Sequence, residues 1–152
     1  MKIFFSTLIF FVFLFSCSNS LSIQSKRIDF KYTILEYNRK RHDYIFHNGS
    51  TTSLTASEIK EIEYIVGDEI RETIKAHNKN LKSNTEFYRQ YLPVINGMGE
   101  KLVYIQCFAE YYIDSTWKSK LVSIADGGTS VFSVWVNLNT KTSNEFSIHG
   151  EG

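Results

Sequence analysis

Between residues 54 and 75 the chain spells out a helix whose start is marked and whose one face is apolar, and that element constrains everything around it. Thr55 is followed three residues later by Glu58, the capping-box pattern in which each side chain satisfies the other residue's backbone N–H. Leu54 before the cap and Ile59 after it stand where a hydrophobic staple places them. Ile59, Ile62, Val66, Ile70 and Ile74 then recur at spacings of three and four and so share one face, with Lys60, Glu61, Asp68, Arg71, Glu72 and Lys75 opposite. At about 1.5–3 kcal/mol for each fully buried aliphatic side chain, the stripe is worth several kcal/mol, but only against another layer. Such a helix needs a sheet to lie on.

The remaining patterns are those of strands. Ile28, Phe30, Tyr32 and Ile34 alternate with Asp29, Lys31 and Thr33, the period of two of a half-buried strand. The charged run Asn38 to Asp43 reads as a turn, and Tyr44 and Phe46 as a returning strand that ends at Asn48-Gly49. After the helix, Phe87 to Ile95 and Lys101 to Ile113 read as a hairpin around Asn96-Gly97-Met98-Gly99. Pro93 cannot donate to a ladder, which predicts an edge position for the first of these strands. Lys120 to Ala125, Ser130 to Leu138 and Asn144 to His149 close the series, with Asp126-Gly127-Gly128 as a turn. The expected fold is α+β: one long amphipathic helix packed on a mainly antiparallel sheet.

The N-terminus carries a different signal. Met1-Lys2, an apolar run from Ile3 to Phe15, and Ser16-Cys17-Ser18-Asn19-Ser20 are the three parts of a secretory signal. The run is short of the roughly 20 apolar residues of a membrane span. Leu14-Phe15-Ser16-Cys17 resembles the lipobox of bacterial lipoproteins, in which the last residue is acylated and becomes the new N-terminus. Leu14, Ser16 and Cys17 fit that pattern, while Phe15 stands where a small or aliphatic residue is usual. The resemblance implies a signal peptide over residues 1–16 and a lipid anchor such as palmitate on Cys17; the polar, aperiodic stretch that follows reads as a tether over 17–27, and the remaining length suits a single domain over 28–152. The protein would then be tethered in the cell envelope, facing the periplasm. Cleavage after Ser20, also of small-x-small form, is the alternative and would release a soluble periplasmic or secreted protein.

Charge narrows the partners. With Lys2 set aside from the 17 basic residues, the mature part carries as many basic as acidic side chains, 16 of the latter. That balance excludes nucleic acid, which demands a basic surface. The membrane, reached through the lipid, and a protein or carbohydrate ligand are the expected partners. If Cys17 is acylated or removed, only Cys107 remains and no internal disulfide can form.

The order of strands, helix and hairpin-linked strands is similar to the cystatin-like and nuclear-transport-factor-like α+β folds. The hairpin Val94-Ile95-Asn96-Gly97-Met98-Gly99 lacks the Gln-x-Val-x-Gly pattern of a true cystatin, so protease inhibition of that kind does not follow. A second resemblance, to a group of uncharacterised small bacterial exported lipoproteins, rests on the second half of the chain. It is carried by Tyr88-Arg89-Gln90-Tyr91, Asn96 to Glu100, Cys107-Phe108, Trp117-Lys118, Asp126-Gly127-Gly128, Phe132 with Asn137-Leu138, and His149-Gly150. No activity comes with it.

The residue types that carry chemistry are sparse. Four histidines, at 42, 47, 77 and 149, lack the spacing of a metal site, and His42 and His47 read as solvated turn residues. His77 suits the C-terminal end of the helix dipole. Cys107 shares a strand face with Val103, Ile105 and Ala109, so its thiol is expected to be buried and inert. The sequence thus indicates no catalytic residue, no metal and no cofactor.

The other strand face is more suggestive. Tyr104, Phe108 and Tyr112 share it with Trp135 of a later strand, and if a single helix covers the sheet these rings form an exposed surface for a protein or a sugar. The competing reading has the N-terminal strands, or a second protomer, covering them. Ser115, within Asp114-Ser115-Thr116, resembles a bacterial O-glycosylation acceptor. The functional expectation is a non-enzymatic envelope lipoprotein that binds through that aromatic face. The alternatives are an inhibitor of an exported hydrolase, an enzyme with a cleft lined by Tyr, Glu110 and Asp114, or a structural envelope component.

Overall fold

A computed structural model of the chain describes residues 31–77 and 86–150. The signal segment, Cys17 and the tether lie outside these residues, as do Ile28 and Phe30. The described chain is α+β: a six-stranded, mostly antiparallel sheet and one main helix. In chain order the elements are β1 (Tyr32–Ile34), α1 (Arg39–His42), β2 (Ser50–Thr51), α2 (Ala56–His77), β3 (Tyr88–Ile95), β4 (Lys101–Phe108), β5 (Gly128–Asn137) and β6 (Thr142–His149). The sheet runs β1-β3-β4-β5-β6, with β1 parallel to β3 and β2 also on β3.

The capping box forms as the sequence predicts. Glu58 N donates to Thr55 Oγ1 at 3.2 Å and Thr55 N donates to Glu58 Oε2 at 2.7 Å. Glu58 also meets Lys101 Nζ at 2.6 Å, which ties the start of α2 to β4. Burial raises the Glu58 carboxyl, but the bonds from Lys101 and Thr55 outweigh it and hold the group below the usual carboxylate range. From that anchored end Ile62, Val66 and Ile70 pack on Val103, Ile105, Phe132, Val134 and Val136, the core of the domain.

A charged pair sits inside this helix–sheet layer. Glu63 lies on the α2 face that meets the sheet, and Arg89 of β3 is 0% exposed. Arg89 Nε stands 3.1 Å from Glu63 Oε1, and its guanidinium also donates to the Phe87 carbonyl at 2.9 Å. The Tyr91 hydroxyl donates to the same carboxylate. Burial first, then the Glu63 charge, pushes the Tyr91 phenol well above its ordinary range. Cys107 is opposite Arg89 in the β3–β4 ladder, buried as expected, and burial pushes its thiol up to about 12.

Pro93 corrects the edge expectation. β3 is interior, with β4 on one side and β1 and β2 end to end on the other. Arg89 N and the Tyr91 carbonyl face β1, bonding to Lys31 O at 3.0 Å and Leu35 N at 2.8 Å. Pro93 is next along that side and falls between the last β1 partner and the first β2 partner. Its missing N–H therefore sits at a gap where no ladder bond is due.

Three expected strands take other forms. Residues 39–42 are helical and 43–48 turn, so Tyr44 and Phe46 do not return as a strand. β4 ends at Phe108, and a 3-10 turn over Glu110–Tyr112 follows it. Residues 120–125 carry no strand. Ile45 and Phe46 of the first segment and Leu121 of the last cover the sheet rather than extend it.

Candidate functional site

The second face of the sheet is not open, and this overturns the expectation of an exposed aromatic surface. Leu35, Tyr37 and Phe46, from the chain around α1, form a second core with Leu92 and Val94, joined by Ile45, Leu102, Tyr104, Leu121 and Trp135. Phe46 stacks edge-on against Trp135 at 4.5 Å, and Trp135 against Tyr104 at 5.4 Å. Phe108 is 0% exposed. Tyr104 and Trp135 are half-buried. Tyr112 lies beyond the strand in the 3-10 turn, its ring 4.3 Å from that of Tyr111. The chain between β1 and β2 covers the face, joined by the loop after β4, whereas the N-terminal strands that the competing reading placed there pair with β3 within the sheet.

That loop is held by one buried side chain. Gln90 of β3 is 0% exposed. Its Nε2 donates to the carbonyls of Trp117 and, at 2.6 Å, Lys120, while its Oε1 accepts Val122 N at 2.7 Å. Local bonds stiffen the approach. Asp114 Oδ1 accepts Thr116 N at 2.7 Å and Thr116 Oγ1 at 2.9 Å, which hold its carboxyl below the usual range. The Thr116 carbonyl in turn accepts Ser119 N at 2.8 Å and Lys120 N at 2.9 Å. Ser115 is exposed in this turn.

The α1 segment is pinned from its own side. His42 is buried, not solvated as its charged neighbours suggest, and Asn38 N donates to its Nδ1 at 3.0 Å. Accepting that proton requires the neutral ring with its hydrogen on Nε2. Burial, then the charge of Arg41, lowers its pKa. The Tyr37 hydroxyl donates to the Phe46 carbonyl at 2.9 Å and closes the turn. His47 is exposed, 3.9 Å from Asp43.

Where the two covers face each other they leave clefts. One, of about 380 Å³, runs along Ile34 to Asn38 and is closed by Arg41, Lys118 and Ser119. The next, of about 360 Å³, is lined by Arg41, His42, Tyr44, Ser119, Lys120 and Leu121. Arg41 and Ser119 belong to both, so the two adjoin. Tyr44 is 73% exposed at this rim. A third cleft, of about 350 Å³, lies where Ile34 to Glu36 meet Thr51 to Ser53.

A Ser–His contact lies apart from them. His149 Nε2 is 3.2 Å from Ser133 Oγ and Nδ1 is 3.1 Å from the Ile124 carbonyl. These are the bonds of a nucleophile and its oriented base, but Ser133 is buried mid-strand in β5 and lines none of the three clefts described. It reads as a buried polar group that has found its partner. Glu110 accepts from the Tyr88 hydroxyl at 3.3 Å and, like Asp114, lies on the exposed turns after β4. Among the described residues no His, Cys, Asp or Glu cluster is placed to hold a metal ion, and no helix is long and apolar enough to cross a membrane.

Sequence reasoning passed over Arg41, Tyr44, Lys118, Ser119, Lys120 and Gln90. The first five come from two segments about 75 positions apart in the chain, and nothing local announces that they meet. Compared with known proteins, the chain matches no family model, no curated protein and no solved structure.

Proposed function

We propose that this chain is a non-enzymatic cell-envelope lipoprotein, held to the membrane through Cys17 and facing the periplasm, that binds a protein or carbohydrate ligand. The binding surface in this reading is the pair of adjoining clefts between α1 and the Trp117–Leu121 loop, in place of the covered sheet face. The observation that carries it is the shared wall of Arg41 and Ser119, with the exposed Tyr44 ring at the rim. An exposed aromatic beside fixed polar groups is the arrangement that sugar and peptide ligands use.

Two experiments test it. Fatty-acid probe labelling that is lost in Cys17→Ala supports the anchor, and wild-type protein that retains membranes without label contradicts it. Envelope extract passed over the wild-type chain and over Tyr44→Ser with Ser119→Ala tests the cleft. A ligand retained equally by both proteins places binding elsewhere.

A further inference from the structure

We infer that the adjoining clefts take an acidic polysaccharide, an inference that rests on the reading of those clefts as the ligand site. Arg41, Lys118 and Lys120 converge on them from opposite sides, against Glu36 as the sole carboxylate among the lining residues. Among the described residues, ion pairs engage Arg39, Arg71, Lys75, Arg89, Lys101 and Lys141, but not these three cations. Lys118 instead lies 5.6 Å from the ring of Trp117. Arg41 and Lys118, with Lys120 offset in part by the nearby Asp114 carboxylate, leave a net positive charge around a concave surface and raise the local concentration of anions there.

The backbone that carries these charges is fixed before any ligand arrives. The buried Gln90 amide holds both sides of the Lys118-Ser119-Lys120 segment through the Trp117 and Lys120 carbonyls and Val122 N. His42 holds the turn that carries Arg41. Ordering of the loop is thus paid on folding and not again on binding.

Shape selects the class of anion. A free phosphate would occupy one cleft and leave the other idle, whereas two clefts sharing a wall suit successive units of a polymer. An anionic bilayer presents a flat surface of headgroups, and the cations here line a recess. Tyr44 supplies the exposed ring on which the apolar face of a sugar rests. Gln90 is a positioning residue in this account, since its amide touches the loop and not the ligand.

The test uses the full chain in a detergent without a sugar headgroup, with polygalacturonate, alginate and hyaluronate as acidic probes and fully methyl-esterified polygalacturonate as the uncharged control. Binding of at least one acidic polymer is expected, weakening with salt, with little binding of the ester. Arg41→Glu with Lys118→Glu, both exposed positions, should weaken it by about tenfold or more, the effect of 1.4 kcal/mol, at unchanged melting temperature. Gln90→Leu should weaken binding and raise amide exchange over residues 117–122, a change that loss of a surface charge does not produce. Equal binding of the ester, lost in Tyr44→Ser but not on charge reversal, would overturn the anionic class and leave the cleft. Binding indifferent to all these variants would overturn the cleft itself. Binding of none of these polymers, or preference for phosphatidylglycerol vesicles over all of them, would overturn the inference.

Discussion

Replacing Arg89 with leucine removes the cation from a pair that the fold has taken fully out of water. The side chains of Arg89 and Glu63 are 0% and 4% exposed, with Nε and Oε1 3.1 Å apart. In the variant Glu63 keeps the Tyr91 hydroxyl but loses the facing charge, and breaking a buried pair in this way costs about 3–5 kcal/mol. Against a typical total of roughly 5–15 kcal/mol, that leaves a marginal domain. Replacing both partners, as Arg89→Leu with Glu63→Leu, removes the buried charge altogether and should recover most of the loss. With the guanidinium gone, burial favours the neutral form of the Glu63 carboxyl, which can bind a proton in the folded variant. The folded variant then binds more protons, and its deficit against the wild type should shrink as the pH falls from 7 towards 4. Urea unfolding of wild type, both single variants and the double variant measures the coupling. A loss under about 1 kcal/mol for Arg89→Leu at pH 7, or a double variant as unstable as the single, would refute the reasoning.

Four further outcomes follow from the same structure. His42 has a lowered pKa in the fold, so its contribution is full above the unfolded value of 6.5 and is lost as the pH falls through the folded value; His42→Gln should flatten stability against pH in that window. Thr55→Ala should cost about 1 kcal/mol in denaturant unfolding through loss of the cap, and Val66→Asp, at a fully buried position, should prevent folding. Tyr104→Ser with Trp135→Ser should destabilise the protein by about 2 kcal/mol or more, short of the 3–5 kcal/mol of a fully buried aromatic lost to alanine; a neutral outcome would return these rings to the surface. Cys107, buried and with its thiol pushed up to about 12, should resist an aromatic disulfide reagent until the protein is unfolded.

What the sequence disclosed was whatever rests on local pattern. The cap at Thr55 and the stripe through Ile62, Val66 and Ile70 are written within single turns, and α2 begins and packs accordingly. β3 to β6 likewise show their alternation. Where the reading failed, alternation was real but its cause was different. Leu35, Tyr37 and Phe46, and Leu121 further on, are apolar because they cap a sheet face, and capping a face marks a sequence much as pairing in a ladder does.

The charged pair had a clue that local reading set aside. Glu63 stands four residues after Ile59 and three before Val66, on the apolar stripe itself, where a carboxylate needs a partner. Which residue would answer it could not be read, because Arg89 arrives from a strand 26 positions later, and side-chain pairing across layers leaves no periodic trace. The clefts were hidden more deeply, since they exist only after two irregular segments have covered the sheet.

The most direct measurement of the central claim is amide hydrogen exchange on the full chain with and without the acidic polymer that binds it best. Binding in the clefts predicts slowed exchange over residues 34–45 and 117–121, with β4 and β5 unchanged. Protection centred instead on residues 102–108 and 131–137, with the two covering segments exchanging faster, would mean that the covers lift and the aromatic sheet face is the binding surface after all.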